Sequence, residues 1–317
     1  MPPSTAKLDA ADSMFLENEL RHVETKLWER RTPPLMARQL FPVSFDIDEG
    51  AESYEWRSAD AVGVARIISN AADDAPMVDA FETPHTSTIR SIGDGFRYST
   101  QDIRAARKAN KPLTDRKRVQ ASKQIKLREN KIAFEGSKKD QIKGVFDYPN
   151  TSIVTAATAA ASPNGIAWSA ASGKTPTEII QDMFNLVDTP NNATGGVEKV
   201  DTLVLPIAAY NYISATQRAA GTDTTILEFF RRVRPGVTVM SAVEMNSVTN
   251  LPSGSSTPTT VAMAYWRSDE ALRLQVPMEE TQLPPQAENF SYKVLIEART
   301  GGVVVYLPLS IAFMEGI

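Results

Sequence analysis

The sequence predicts an α+β protein, and three observations predict it. Residues 176 to 266 alternate helix-like and strand-like periods, residues 53 to 92 hold short β-like pieces, and a long polar helical stretch lies between the two regions. The chain has 317 residues and 42% apolar content, enough to bury a core of domain size.

Taken in order, Asp12 to Arg31 read as an amphipathic helix, with Leu16, Leu20, Val23 and Leu27 on one stripe. Asp12 or Ser13 caps it, acids lead and bases trail, and Pro33-Pro34 end it. A terminal helix with a single apolar stripe must dock on its own core or on a neighbouring subunit. From Phe41 to Tyr98 the pieces Ser53 to Arg57, Val64 to Ile68 and Thr86 to Ile92 are separated by acidic or glycine-bearing turns. No long apolar run supports them, so they predict an extended β-excursion of low stability on its own. Thr100-Gln-Asp-Ile opens a short helix through Arg104 and Arg107, which Asn110-Lys-Pro-Leu interrupts. A long helix follows from Asp115 to Phe134, stopped by Gly136, with a thin apolar face of Val119, Ala121, Ile125 and Ile132.

After Gly144-Val-Phe-Asp-Tyr-Pro-Asn150 and an Ala/Ser/Thr-rich connector, the alternation begins. Helix is expected over Pro176 to Leu186, Ile207 to Arg218 and Ile226 to Val233. Strand is expected over Thr202 to Leu205, Val237 to Met240 and Thr260 to Trp266, the last after a loop from Asn250 to Pro258. Tyr292 to Leu307 reads as two strands joined by a glycine turn, and Leu309, Ile311 and Phe313 continue the alternation.

The chain is poor in catalytic parts. Without cysteine it has no disulfide, thiolate nucleophile or cysteine-ligated metal, which fits synthesis in a reducing cytosol. His22 and His85 are its two histidines, so no catalytic residue, cofactor or metal is expected. Gly173-Lys174-Thr175 resembles the close of a phosphate loop, but the first glycine is missing, since Trp168 stands five residues before Gly173. Thr175, Pro176 and Glu178 instead form a helix-capping box. Gly93-Asp94-Gly95 lacks the third glycine of a dinucleotide loop and reads as a turn. Asp46 to Gly50 begins like a calcium loop, but the later ligand spacing fails. Asp73-Asp74 and Glu279-Glu280 read as solvated turns. Only Lys7 is basic among the first residues and no apolar run follows, so no secretory signal is expected. The longest apolar run, Gly302 to Ala312, is broken by Pro308 and too short to cross a bilayer, so no membrane partner is expected.

The net charge of −4 hides a strong asymmetry. Between Arg104 and Lys143 stand 14 Lys or Arg against four acids, leaving 20 bases against 34 acids elsewhere. The asymmetry predicts either an element that faces a polyanion or an acidic neighbour, or a charged helix that is simply solvated. The candidate residues are Arg104, Arg107, Lys108, Lys111, Arg116, Lys117, Arg118 and Lys123; a complementary acidic group is Asp46, Asp48, Glu49, Glu52 and Glu55. The bases are not interleaved with aromatics and no base-reading turn precedes them, so DNA contact would be to phosphate, without sequence preference.

The order of elements resembles the major capsid proteins of tailed phages with the Hong Kong 97 (HK97) capsid fold. The resemblance rests on Tyr54-Glu-Trp-Arg-Ser-Ala-Asp-Ala-Val-Gly-Val-Ala65, Asn70-Ala-Ala-Asp-Asp-Ala-Pro-Met-Val-Asp79, Gly144 to Asn150 and Gly301-Gly-Val-Val-Val-Tyr-Leu-Pro308, and spans residues 14 to 317. It implies an N-terminal arm over 1–45, an E-loop over 46–98, a spine helix and first P-domain part over 99–143, an A-domain over 144–275 and a second P-domain part over 276–317. It implies a shell subunit that self-assembles as hexamers and pentamers into an icosahedral virion capsid around double-stranded DNA, in the bacterial host cytoplasm. A portal and a separate scaffold are implied partners, with decoration proteins left open. No long helical scaffolding segment precedes the arm, so maturation by cleavage is not expected. Two alternatives share parts of this pattern: an encapsulin-like compartment for enzyme cargo, and an α/β enzyme centred on 144–275.

Some capsids of this fold join neighbours through an isopeptide bond from an E-loop lysine. Here no lysine stands between Lys26 and Lys108, so the nucleophile is missing. Boiled, reduced particles should run as a single monomer band on a denaturing gel; a ladder of covalent oligomers would contradict this.

Overall fold

The computed structural model describes residues 32–62, 79–109, 113–160, 165–249, 253–254 and 258–317. The helix expected over 12–31, the strand over 64–68 and most of the 250–258 loop lie outside these residues. Residues 35–317 form one compact unit, distinct from 1–34.

A single helical turn, α1 (Ala37–Leu40), leads into β1 (Val43–Ser44). The β-excursion is a two-stranded antiparallel hairpin of β2 (Ser53–Val62) and β3 (Asp79–Thr88), followed by β4 (Arg90–Ser99). The basic stretch forms α2 (Thr100–Ala109) and α3 (Leu113–Glu135). Gly136, at φ 69°, closes α3 with its amide on the Ile132 carbonyl, 2.9 Å, as the sequence predicts.

Then come β5 (Ser152–Val154), α4 (Pro176–Ala193), β6 (Thr202–Pro206), α5 (Ile207–Ala215), α6 (Ile226–Val233), β7 (Thr238–Ala242) and β8 (Val261–Tyr265). The capping boxes are real: Thr175 and Glu178 satisfy each other's backbone amides at the start of α4, and Thr225 and Glu228 do so at α6. α4 runs past the expected end at Leu186 and carries Pro190 near its C-terminus, where Thr194 Oγ1 donates to the Pro190 carbonyl at 3.0 Å. The chain closes with β9 (Leu272–Gln275), β10 (Met278–Gln282), β11 (Gln286–Glu288), β12 (Ser291–Thr300), β13 (Gly302–Val305) and β14 (Ile311–Glu315).

The strands β5, β14, β8, β6 and β7 make a mixed sheet in that order. Both of its faces are buried. Val204, Met263, Tyr265, Ile311 and Phe313 point to one side, against Phe41, Phe134, Phe146 and Leu272. Leu203, Leu205, Ala264, Ala312 and Met314 point to the other, against Ile179, Met183, Ile213 and Phe230 of the three helices. Strands buried on both faces read as continuous apolar runs, as these do. A second sheet pairs β4 along the whole of β12, with β10 and β11 on the other edge of β12. α3 packs on it through Ala121 and Ile125 against Phe96, Tyr98, Val294, Ile296 and Ala298.

Three expectations are corrected. The strands around Gly301-Gly302 are not a hairpin: β12 pairs with β4, whereas β13 pairs with β9, so the glycines turn a corner between two sheets. Gly93 and Gly95 lie within β4, not in a turn. Glu279 and Glu280 lie in β10 and hold ion pairs, described below. The closing strand β14 enters the mixed sheet between β5 and β8, so the segment after 275 contributes to both sheets.

Lys174, the lysine of the apparent phosphate loop, is 4% exposed and pairs with the fully buried Asp182. Trp168 Nε1 and the Ala157 amide also donate to this carboxylate, at 3.1 and 3.0 Å. The ammonium is thus consumed inside the fold. Breaking a buried pair by removing one partner strands the other charge, so Asp182→Ala should destabilise the soluble chain by about 3–5 kcal/mol. Lys174→Met, which leaves the carboxylate with two donors, should cost less. Urea midpoints measure both; equal losses below about 1 kcal/mol would contradict a structural role for the pair.

Candidate functional site

Ser99 and Asp102 cap α2 reciprocally, with the Asp102 amide on Ser99 Oγ at 3.1 Å and the Ser99 amide on Asp102 Oδ2 at 3.3 Å. In α3 the buried residues Ala121, Ile125 and Ile132 recur at helical spacing. Val119, expected on that face, is 59% exposed. Two residues from Ala121 is more than half a turn around a helix, which places it on the opposite side.

The bases divide by position. In the second half of α3 they are neutralised within the chain: Lys126 by Glu280 at 3.7 Å, Arg128 by Asp140 at 3.8 Å and Lys131 by Glu135 at 3.7 Å. Arg38 of α1 joins the same surface, bidentate on buried Glu129 at 2.8 and 2.9 Å and on Glu279 at 2.7 and 3.0 Å. This guanidinium holds the Glu279 carboxyl below the usual carboxylate range, and its hydrogen bonds to Glu129 and Glu279 raise its own affinity for its proton. Asn130 completes the tie, accepting from the Ala37 amide at 2.9 Å and donating to Glu244 at 2.6 Å.

The first half is different. Arg104, Arg107, Lys108, Arg116 and Arg118 are exposed and form no ion pair among the described residues, nor does half-buried Lys123. Lys117 turns inward, donating to the Arg97 carbonyl at 2.7 Å over the Tyr98 ring. Lys111 lies outside the described residues. The unneutralised charge therefore lies at the two ends of the basic stretch, in α2 and early α3 and again at Lys138, Lys139 and Lys143, which are exposed and form no ion pair among the described residues.

The acidic group lies on the approach to the hairpin and is exposed. Asp46 accepts from Ser44 Oγ at 2.9 Å and stands 3.4 Å from Arg273; Asp48 caps the Gly50 amide at 3.0 Å. Glu49 offers its carbonyl to Arg299, Glu52 its carbonyl to the Ile89 amide at 2.9 Å, and Glu55 stands 3.6 Å from Arg57. Among the described residues, no ion pair joins the acidic group to these bases within one chain.

Among the described residues the hairpin is anchored at its base. Trp56 meets Tyr306 edge-on with centroids 5.6 Å apart, His85 stacks on Trp56 at 5.4 Å, and the Tyr54 and Tyr306 hydroxyls lie 3.2 Å apart. Burial pushes the Tyr306 phenol up. Between hairpin and body runs a cleft of about 320 Å³ lined by Trp56, His85, Lys143, Tyr148, Asn150 and Tyr306. Sequence reasoning missed this anchor and Arg38. The aromatic run Tyr54 to Trp56 is a local signal for the first; an isolated arginine after Pro33-Pro34 is none for the second. No helix among the described residues is long and apolar enough to cross a membrane.

Solved structures share this architecture. The chain is similar to the capsid of Myoviridae phage XM1, at 16% identity and TM-score 0.79 over 99% of this chain and 100% of that one. It is similar to a structure of Mycobacterium phage Ogopogo, at 14% identity and TM-score 0.62 over 98% and 100%. A virus-like particle from Pyrococcus furiosus matches at 12% identity and TM-score 0.53 over 87% and 91%. No curated protein matches in sequence. The fold is thus that of HK97-like phage capsid proteins. The family model described as major capsid protein matches residues 63–317, most of the chain, and the chain belongs to that family.

Proposed function

We propose that the chain is the subunit of a tailed-phage head, assembling as hexamers and pentamers into an icosahedral shell around double-stranded DNA without lysine cross-links. The β2–β3 hairpin carries this reading. Eight of the ten residues of β3 are exposed along its length, and a two-stranded ribbon is marginal in water by itself. Laid over a neighbouring subunit, it becomes part of an obligate interface, of a kind that commonly buries about 2,000 Å² or more.

The unneutralised bases of α2 and early α3 would pair with the acidic approach to a neighbour's hairpin, giving register between subunits. Phosphate of packaged DNA is the other polyanion that fits them. The similarity to an archaeal virus-like particle favours, as second reading, an encapsulin-like compartment.

Electron microscopy of the purified chain, with and without nuclease, should reveal closed polyhedral shells or capsomer rings, and DNA protected inside them selects a head over a cargo compartment. A monodisperse monomer at high concentration would overturn the proposal. Replacing Arg104, Arg107, Arg116 and Arg118 together by glutamine should abolish shells at concentrations where the parent assembles. Intact shells that no longer retain DNA would instead place these bases toward the lumen.

A further inference from the structure

The turn Asn289-Phe290 joins β11 to β12, and Phe290 is 85% exposed, the most exposed large apolar side chain among the described residues. The turn is firmly held. Asn289 takes φ 53°, the Thr100 amide donates to the Phe290 carbonyl at 2.9 Å, and Ser291 Oγ donates to the Glu288 carbonyl at 2.8 Å. Arg97 pairs with Glu288 at 2.7 Å beside it. An aromatic ring on a rigid turn loses little freedom on docking.

The same sheet holds a matching recess. On the face away from α3, Leu295 lies opposite Gly95 and Glu297 opposite Gly93, and the Leu283 amide bonds the Leu295 carbonyl at 2.9 Å. These residues with Asp94 line a groove of about 420 Å³ whose floor is Leu283 and Leu295. A glycine within a strand weakens it and often marks close approach by another surface. Gly93 has no need to be glycine within its own chain: its backbone is not left-handed, and a Cβ there would meet nothing nearer than the Ile296 carbonyl at 3.7 Å. What its bare backbone supplies is space on the sheet.

We propose that Phe290 of one copy of the chain seats in the Leu283–Leu295 groove of a second copy. The proposal rests on the shell reading above and adds a specific contact to it. The surroundings are complementary in charge: α2, with Arg104 and Arg107 in no ion pair among the described residues, begins at the Phe290 turn, while Glu297 edges the groove without an ion pair. A knob and a recess at different places on one subunit make a heterologous contact, the kind that builds rings when its rotation closes. A central aromatic anchor of this kind typically dominates such an interface.

The chain has no cysteine, so introduced thiols report the contact alone. Phe290→Cys with Leu283→Cys, treated in assembled particles with a short bismaleimide, should give covalent multimers on a denaturing gel, and neither single variant should. Intact shells without linkage in the double variant would overturn the contact, as would efficient linkage of Phe290→Cys alone, which would mean that the turns meet each other. Gly93→Leu places a side chain in the groove at a position where a Cβ meets no atom nearer than 3.7 Å. With its circular dichroism unchanged, it should raise the concentration needed for assembly roughly tenfold or more, as should Phe290→Ala. Parental assembly by both variants would also overturn the contact. If the parent chain forms no shells, the shell reading itself fails, and this contact falls with it.

Discussion

At Gly301-Gly302 the chain leaves one sheet and enters another, and at the second of the two only glycine fits. Gly302 takes φ 72°, and a Cβ on it would strike the Lys143 carbonyl and Ile142. The corner seats the turn after α3 against the closing strands. It sends β13 along β9 and leads to β14, which fills the gap between β5 and β8. Because β14 is buried on both faces, the last residues of the chain hold the mixed sheet together. The same corner accepts Ser87 Oγ on the Gly301 carbonyl at 3.4 Å, so the hairpin base hangs from it as well.

From this frame the charged surfaces acquire their order. Arg38, Glu129 and Glu279 bring α1, α3 and β10 to one place, and the nearby ion pairs neutralise the second half of α3. The α2 end carries bases without such partners. Within the basic stretch, the second half of α3 thus serves the chain's own packing, whereas the bases of α2 and early α3 form no ion pair among the described residues. The hairpin shows the same division, with aromatic anchors at its base and exposed strands beyond.

Much of this was legible in the sequence where the signal is local. Thr175, Pro176 and Glu178 place the start of α4, Gly136 places the end of α3, and the apolar runs at 202–205 and 260–266 place buried strands. What was not legible depends on distant partners. β10 is short, polar and largely exposed, so its alternation carries no signal, and it exists because it pairs with β12. A glycine pair between two β-like runs looks the same whether the runs pair with each other or lie in separate sheets. The burial of Lys174 depends on Asp182 and Trp168, and nothing in the local pattern announces it. The acidic and basic groups were readable as groups, but no local signal says what either group faces.

The central claim is that the hairpin beyond its anchored base is stabilised by neighbouring subunits and not by its own chain. Amide hydrogen exchange of the same protein, as soluble subunit and as assembled particle, tests it most directly. Amides of residues 57–62 and 79–83, beyond the anchored base, should exchange rapidly in the subunit and become protected in the particle, while those of β8 and β14 stay protected in both. Equal protection of the hairpin in the two states would contradict the claim.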